Sequence, residues 1–151
     1  MSWRYHGHIP TVDQFQHDLW SGVHTQFAVR TPTVEFAGMV VCYDLEPNHR
    51  FAKIATIISE QSRGIGTHAT ALFVRYLFQQ ADLRKLYFEV PDFNLERVGP
   101  LLSRFSRERS ELSEHFFAHG AWRSLVTFGI WREDVEPFSP GLIEPSRALF
   151  G

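Results

Sequence analysis

The run Gln61-Ser62-Arg63-Gly64-Ile65-Gly66-Thr67 decides how the rest of the chain is read. Before it lies an apolar, β-branched stretch, Arg50 to Ser59, with Phe51, Ile54, Ala55, Ile57 and Ile58. After it, Ile65, Ala69, Leu72, Phe73, Tyr76 and Leu77 fall on one stripe of a helix predicted over about 65–80. The glycines therefore sit where a strand turns into a helix. A helix start leaves backbone N–H groups unpartnered and partly positive, which suits the oxygens of a phosphate. Gly64 and Gly66 let the backbone come close to such an anion, and Thr67 adds a hydroxyl. A plain tight turn into a helix is the bland alternative, and the full pattern in its strand–helix context argues against it. The loop is not a Walker loop, because no Gly-Lys-Ser/Thr follows. Nor is it a dinucleotide fingerprint, since the third glycine is missing and antiparallel-looking strands precede it.

Towards the N-terminus, Phe36 to Leu45 is a nearly continuous apolar strand, and Glu46-Pro47-Asn48-His49 is the turn after it. His24 to Arg30 is a further strand, with Phe27 and Val29 on one face. Thr11 and Gln14 form a capping-box pattern that heads a helix over Val12 to Ser21, ended by Gly22. Short loops join the three strands, so an antiparallel meander is expected. Towards the C-terminus, Lys85 to Val90 is a strand ended by Pro91. Two helices are predicted next, over Arg97 to Arg107 and over Ser110 to His119. The second rests on Ser110, Glu111 and Glu114 at its start and Gly120 at its end. Trp122 to Trp131 is the last strand. The fold class is α+β (α/β-like): a mixed central sheet with flanking helices and a right-handed crossover around the glycine loop. One domain is expected over residues 1–135, and residues 136–151, with three prolines and no period, form a C-terminal tail.

Length and composition agree with one core. A chain of 151 residues can bury most of its apolar surface without disulfides or metals, and 44% hydrophobic with 21% charged residues argues against disorder. A net charge of -2 supplies no field for nucleic acid or an anionic membrane, so neither is expected as a partner. The lone Cys42 lies in the run Met39 to Tyr43 and is expected to be buried and inert, in a reducing compartment. No signal-like or membrane-length apolar stretch is seen, so a cytoplasmic protein is expected. His115 and His119 at i, i+4, and His6 with His8, could each pair on a metal. No third ligand accompanies them, and no metal is expected.

The pattern Gln-x-x-Gly-x-Gly after the strands, with Phe88-Glu89-Val90-Pro91-Asp92-Phe93-Asn94 beyond the next helix, resembles the acetyl-CoA region of the GNAT N-acyltransferase superfamily. The resemblance covers Phe36 to Asn94 closely and runs more loosely through Trp131. It implies that Gln61, Ser62, Arg63, Gly64, Ile65, Gly66 and Thr67 bind acetyl-CoA, the backbone amides of Ser62 to Thr67 holding the pyrophosphate and Arg63 adding charge there or at the 3'-phosphate. It implies that the strand ending at Ile57 and Ile58 splays from the strand ending at Val90, with pantetheine in the gap and Asn94 hydrogen-bonded to it. The reaction implied is transfer of an acetyl group to a primary amine, on a small molecule or a peptide, by direct attack.

Such a reaction needs alignment of amine and thioester, a donor for the oxyanion near Ile57 or Ile58, and a base. Some family members carry a glutamate early in the strand before the loop, where this chain has Lys53. Many carry a tyrosine after the asparagine, where 95–107 offers only Phe105. Glu89, ahead of Tyr87 and Glu60, is the first candidate for the base, acting through water; a salt-bridged carboxylate is its structural alternative. The family's first strand has only Ser2 to His6 to supply it, so it is short or absent. The open sheet edge that results would suit a homodimer. The alternative function is a non-catalytic acyl-CoA-binding or interaction subunit.

Overall fold

Alternation along the apolar runs, with short turns between them, places six strands in one sheet in the order β1-β2-β3-β4-β6-β5. In chain order the elements are α1 (Val12–Asp18), β1 (Val23–Val29), β2 (Gly38–Glu46), β3 (Phe51–Ile58), α2 (Gly66–Gln80), β4 (Lys85–Pro91), α3 (Leu95–Phe105), β5 (Ser106–Ala118), β6 (Ala121–Trp131) and the single turn α4 (Arg132–Val135). The computed structural model describes residues 9–62 and 64–135. Arg63, the short strand expected at Ser2 to His6, His6 with His8, and the tail over 136–151 lie outside the described residues.

The meander is antiparallel, as expected: β1 pairs with β2 and β2 with β3. Thr11 heads α1 with a complete capping box, its hydroxyl accepting from the Gln14 N–H while Gln14 accepts from the Thr11 N–H. The crossover through α2 then brings β4 parallel to β3.

β2 is nearly continuous in apolar residues because both of its faces are covered. Val40 and Cys42 join the main core, while Val41 and Tyr43, which alternate with them in sequence, are buried on the other face. The main core lies between the sheet and the pair α2 and α3. There Ile54, Phe73, Leu77, Leu86, Leu102 and Phe128 are each 3% exposed or less. Arg132 locks α2 to the sheet from the far end of β6. Its guanidinium donates to the carbonyls of Phe78 and Ala81, acceptors that the end of α2 leaves without intrahelical partners, and to that of Leu83 just beyond.

One predicted element is overturned. Residues 110–119 are not a helix: 110–118 belong to the 13-residue strand β5, paired antiparallel with β6, and His119 opens the turn after it. Gly120 is not a helix stop but half of a two-residue hairpin turn. His119 and Gly120 take φ of 52° and 75°, the two positive values of a type I′ turn. The acidic residues read as a helix start are exposed positions on an edge strand, and Glu114 sits at φ 48° in a bulge between Leu112 and Phe116. A capping signal is local, whereas β5 takes its backbone hydrogen bonds from β6, a partner that becomes available only in the tertiary fold.

Candidate active site

The site is built where a parallel pairing stops. β3 and β4 are in register from Phe51↔Lys85 to Ile54↔Phe88, and no pair follows. β3 nevertheless runs on to Ile58, still held by β2 through Gly38↔Ile58, and β4 runs on to Pro91, held by β6 through Pro91↔Leu125. Each strand is gripped by its outer neighbour, so the two part into a V. The unpaired arm of β3, residues 55–58, is ~13 Å long at about 3.3 Å per residue. Its inner edge carries backbone groups with no strand partner, as a pseudo-strand ligand would require.

The mouth of the V opens at the start of α2. Ile65 is the N-cap and gives no side-chain cap, and no acidic residue lies in the first turn. A helix start usually recruits Ser, Thr, Asp or Asn for its orphan N–H groups, and acidic side chains for its dipole. Here both are missing, which leaves the amides free for an anion. Gly64 has φ 103°, a conformation closed to residues with a Cβ, and it is exposed with open space around it. Ser62, in the 3₁₀ turn Glu60–Ser62, is 7% exposed, and its hydroxyl has no hydrogen-bond partner among the described residues. A buried unsatisfied hydroxyl beside an uncapped helix start fits a bound pyrophosphate. Gln61 and Thr67 are exposed at the same turn.

The helix start is tied to the V through two threonines. The Thr70 hydroxyl donates to the Gly66 carbonyl at 2.8 Å and accepts from the Thr56 hydroxyl at 2.7 Å, so the first turn of α2 is fastened to the unpaired arm of β3. Ile57 and Ile58 lie half-buried on that arm. A Cβ on Gly66 would come within 3.3 Å of the Ile58 side chain, so the glycine lets the helix rest on it.

Asn94 ends the 3₁₀ turn Asp92–Asn94 and is the N-cap residue of α3, yet its side chain makes no capping bond. Its amide is thus left for another partner beyond the arm of β4. Asp92 steadies this turn, one carboxylate oxygen accepting from the Ser124 N–H at 3.1 Å.

Glu89 is the first residue of β4 beyond the last β3–β4 pair, at the vertex of the V. One of its oxygens accepts from the Lys53 ammonium at 3.1 Å, and the other accepts from the Tyr43 hydroxyl at 3.4 Å. Asp44 lies 3.4 Å from the same ammonium. Burial pulls the Lys53 pKa down, but hydrogen bonds and charge from Glu89 and Asp44 outweigh it, and the net shift is upward. Lys53 is therefore a fixed cation and no base. Burial, and next the Glu89 charge, push the Tyr43 phenol far up.

Sequence reasoning placed Glu89 but missed Tyr43, which lies 46 residues away. A register for β2, β3 and β4 would have found it, since Tyr43 is opposite Lys53 and Lys53 is opposite Tyr87. Glu60 begins the 3₁₀ turn at the mouth, away from the vertex. Among the described residues no cluster of three or more His, Cys, Asp or Glu could hold a metal ion, and His119 packs on the Phe93 ring at 4.9 Å.

No protein-family model matches the chain. Over 118 residues it is 30% identical to the spermidine N(1)-acetyltransferases of Escherichia coli strain K12 and of Escherichia coli O157:H7. Spermidine N-acetyltransferase from Vibrio cholerae, solved in complex with CoA and spermine, superposes with a TM-score of 0.73 over 85% of this chain and 79% of that one, at 20% identity. The chain has the fold of these GNAT N-acetyltransferases. The six-stranded GNAT sheet is also shared with a dodecameric structure of the Vibrio cholerae enzyme, at a TM-score of 0.68 and 21% identity over 80% of this chain and 72% of that one. The match to the Escherichia coli enzymes takes in 74% of this chain and 63% of their length, so the chain spans under two thirds of these relatives.

Proposed function

We propose that this GNAT domain transfers the acetyl group of acetyl-CoA to a primary amine, with a polyamine as the first acceptor to test. The observation that carries the reading is the V that opens past Ile54 and Phe88 directly over an uncapped, glycine-led helix start. The relatives' spermidine acetylation and the CoA–spermine complex of a structural neighbour support it. The neighbour's dodecamer favours self-assembly of this chain as well, in a homodimer or a larger ring. Among the described residues no helix is long and apolar enough to cross a membrane.

In this reading the amides from Gly64 to Thr67, with the Ser62 hydroxyl, hold the pyrophosphate, Gln61 borders it, and Arg63 is proposed from the sequence to add charge. The free edge of β3 at Ile57 and Ile58 pairs with pantetheine, and Asn94 hydrogen-bonds the arm from the β4 side. When bound, acetyl-CoA supplies a thioester-activated acetyl group. Glu89, at the vertex, takes a proton from the incoming ammonium through a water. A backbone N–H near Ile57 or Ile58 donates to the oxygen that gains charge as the amine nitrogen bonds to the acyl carbon and the carbon–sulfur bond breaks.

A non-catalytic acyl-CoA-binding subunit is the second reading. The ion pair that engages Glu89 favours it, and it predicts binding without turnover. The test is calorimetric titration of the protein with acetyl-CoA, followed by CoA release with spermidine, spermine and a lysine peptide. Micromolar binding with spermidine-dependent release supports the enzyme. Binding without release from any amine supports the second reading, and absence of binding overturns both.

A further inference from the structure

We propose that Lys53 and Tyr43 are positioning residues that clamp the Glu89 carboxylate at the vertex of the V, an inference that rests on Glu89 as the base. The two Glu89 oxygens are held separately by two different strands. Lys53 of β3 donates to one at 3.1 Å, and Tyr43 of β2 donates to the other at 3.4 Å. Residues 53, 43 and 89 share the sheet face away from α2 and α3, since Ile54, Cys42, Phe88 and Val90 beside them turn into the main core. Asp44 fixes the ammonium in turn. The clamp therefore spans three strands and is present only when β2, β3 and β4 are in register.

The chemistry of the clamp suits a base that must stay open. Each carboxylate oxygen has two acceptor sites, so one held donor apiece leaves room for a water that carries the amine's proton. Lys53 holds Glu89 in one orientation without competing for the proton, because its own ammonium is fixed in the charged form. Tyr43 does not take the role of an acid for the leaving thiolate, because burial keeps its phenol protonated; it serves as a donor alone. Geometry at the reacting centre is worth much: a displacement of about 1 Å costs on the order of a hundredfold in rate.

The experiment compares Lys53→Met, Lys53→Arg, Tyr43→Phe, Glu89→Gln and the double variant Lys53→Met/Glu89→Gln. Lys53→Met is expected to lower kcat about ten- to a hundredfold, while the calorimetric affinity for acetyl-CoA stays within about twofold of the parent. Lys53→Arg should recover most of the rate, and Tyr43→Phe should lose a few-fold. In the Glu89→Gln background Lys53→Met should cost nothing further, because a clamp has no effect without the group it holds. A crystal structure of Lys53→Met should show Glu89 turned away from the vertex. An equal loss from Lys53→Met in both backgrounds, or an unchanged kcat, overturns the clamp. Full activity of Glu89→Gln in a protein that binds acetyl-CoA overturns the base and the clamp together and leaves the cofactor site standing. A parent chain that binds no acetyl-CoA overturns the functional reading itself.

Discussion

Ile54 and Phe88 are the last residues paired across β3 and β4, and every feature of the candidate site is placed by what happens beyond them. The strands part there because β2 holds one and β6 holds the other. The vertex carries Glu89 and the mouth carries the glycine loop, so the site's depth and its two ends follow from where a single ladder stops.

Gly64 is the residue through which the proposed anion site is tested most directly. With φ at 103°, an alanine there is strained by about 1–2 kcal/mol although its methyl would meet open space. Gly64→Ala should lower stability by that amount in urea denaturation. Gly64→Glu should in addition abolish acetyl-CoA binding in calorimetry, because its carboxylate enters the anion's place.

Ser62→Ala separates folding from binding. The hydroxyl is buried without a partner, so its removal should leave the thermal midpoint unchanged or slightly raised. If the hydroxyl serves the cofactor, acetyl-CoA affinity should fall about three- to tenfold, the equivalent of one lost hydrogen bond of ~1 kcal/mol. A lower midpoint with unchanged affinity would assign Ser62 to structure alone.

Arg132→Met should destabilise the chain by about 2 kcal/mol, measured by chemical denaturation. It strips donors from three carbonyls at and just beyond the end of α2 and removes the guanidinium that lies over the Phe78 ring. Acetyl-CoA binding at the other end of α2 should be unaffected in the folded fraction.

Cys42 reports on the core. Burial pushes its thiol pKa up to about 12 from an ordinary 9.0. The folded state thus binds the thiol proton more tightly than the unfolded state. This contribution to stability is complete below pH 9 and is lost as pH rises from 9.0 towards 12. A thiol reagent at pH 8 should leave Cys42 unmodified until denaturant unfolds the protein. A Cys42→Ala variant should lose part of the alkaline decline in stability.

The sequence by itself determined the elements whose signals are local. The Thr11–Gln14 capping box, the apolar, β-branched run of β3 and the glycines between strand and helix act over a few residues, and each stands where it was read. It also determined the α+β class, because a meander followed by a strand–helix–strand unit admits few arrangements. The tertiary structure decided the rest. Residues 110–118 carry a helix-like charge pattern and became a strand because β6 offered a ladder on both sides of a bulge between Leu112 and Phe116. Glu89 was legible as a carboxylate near a gap, but its clamp was not. Lys53 and Tyr43 come from strands whose side chains meet Glu89 only once register is set, and a one-residue slip of either strand would turn its side chain to the opposite face.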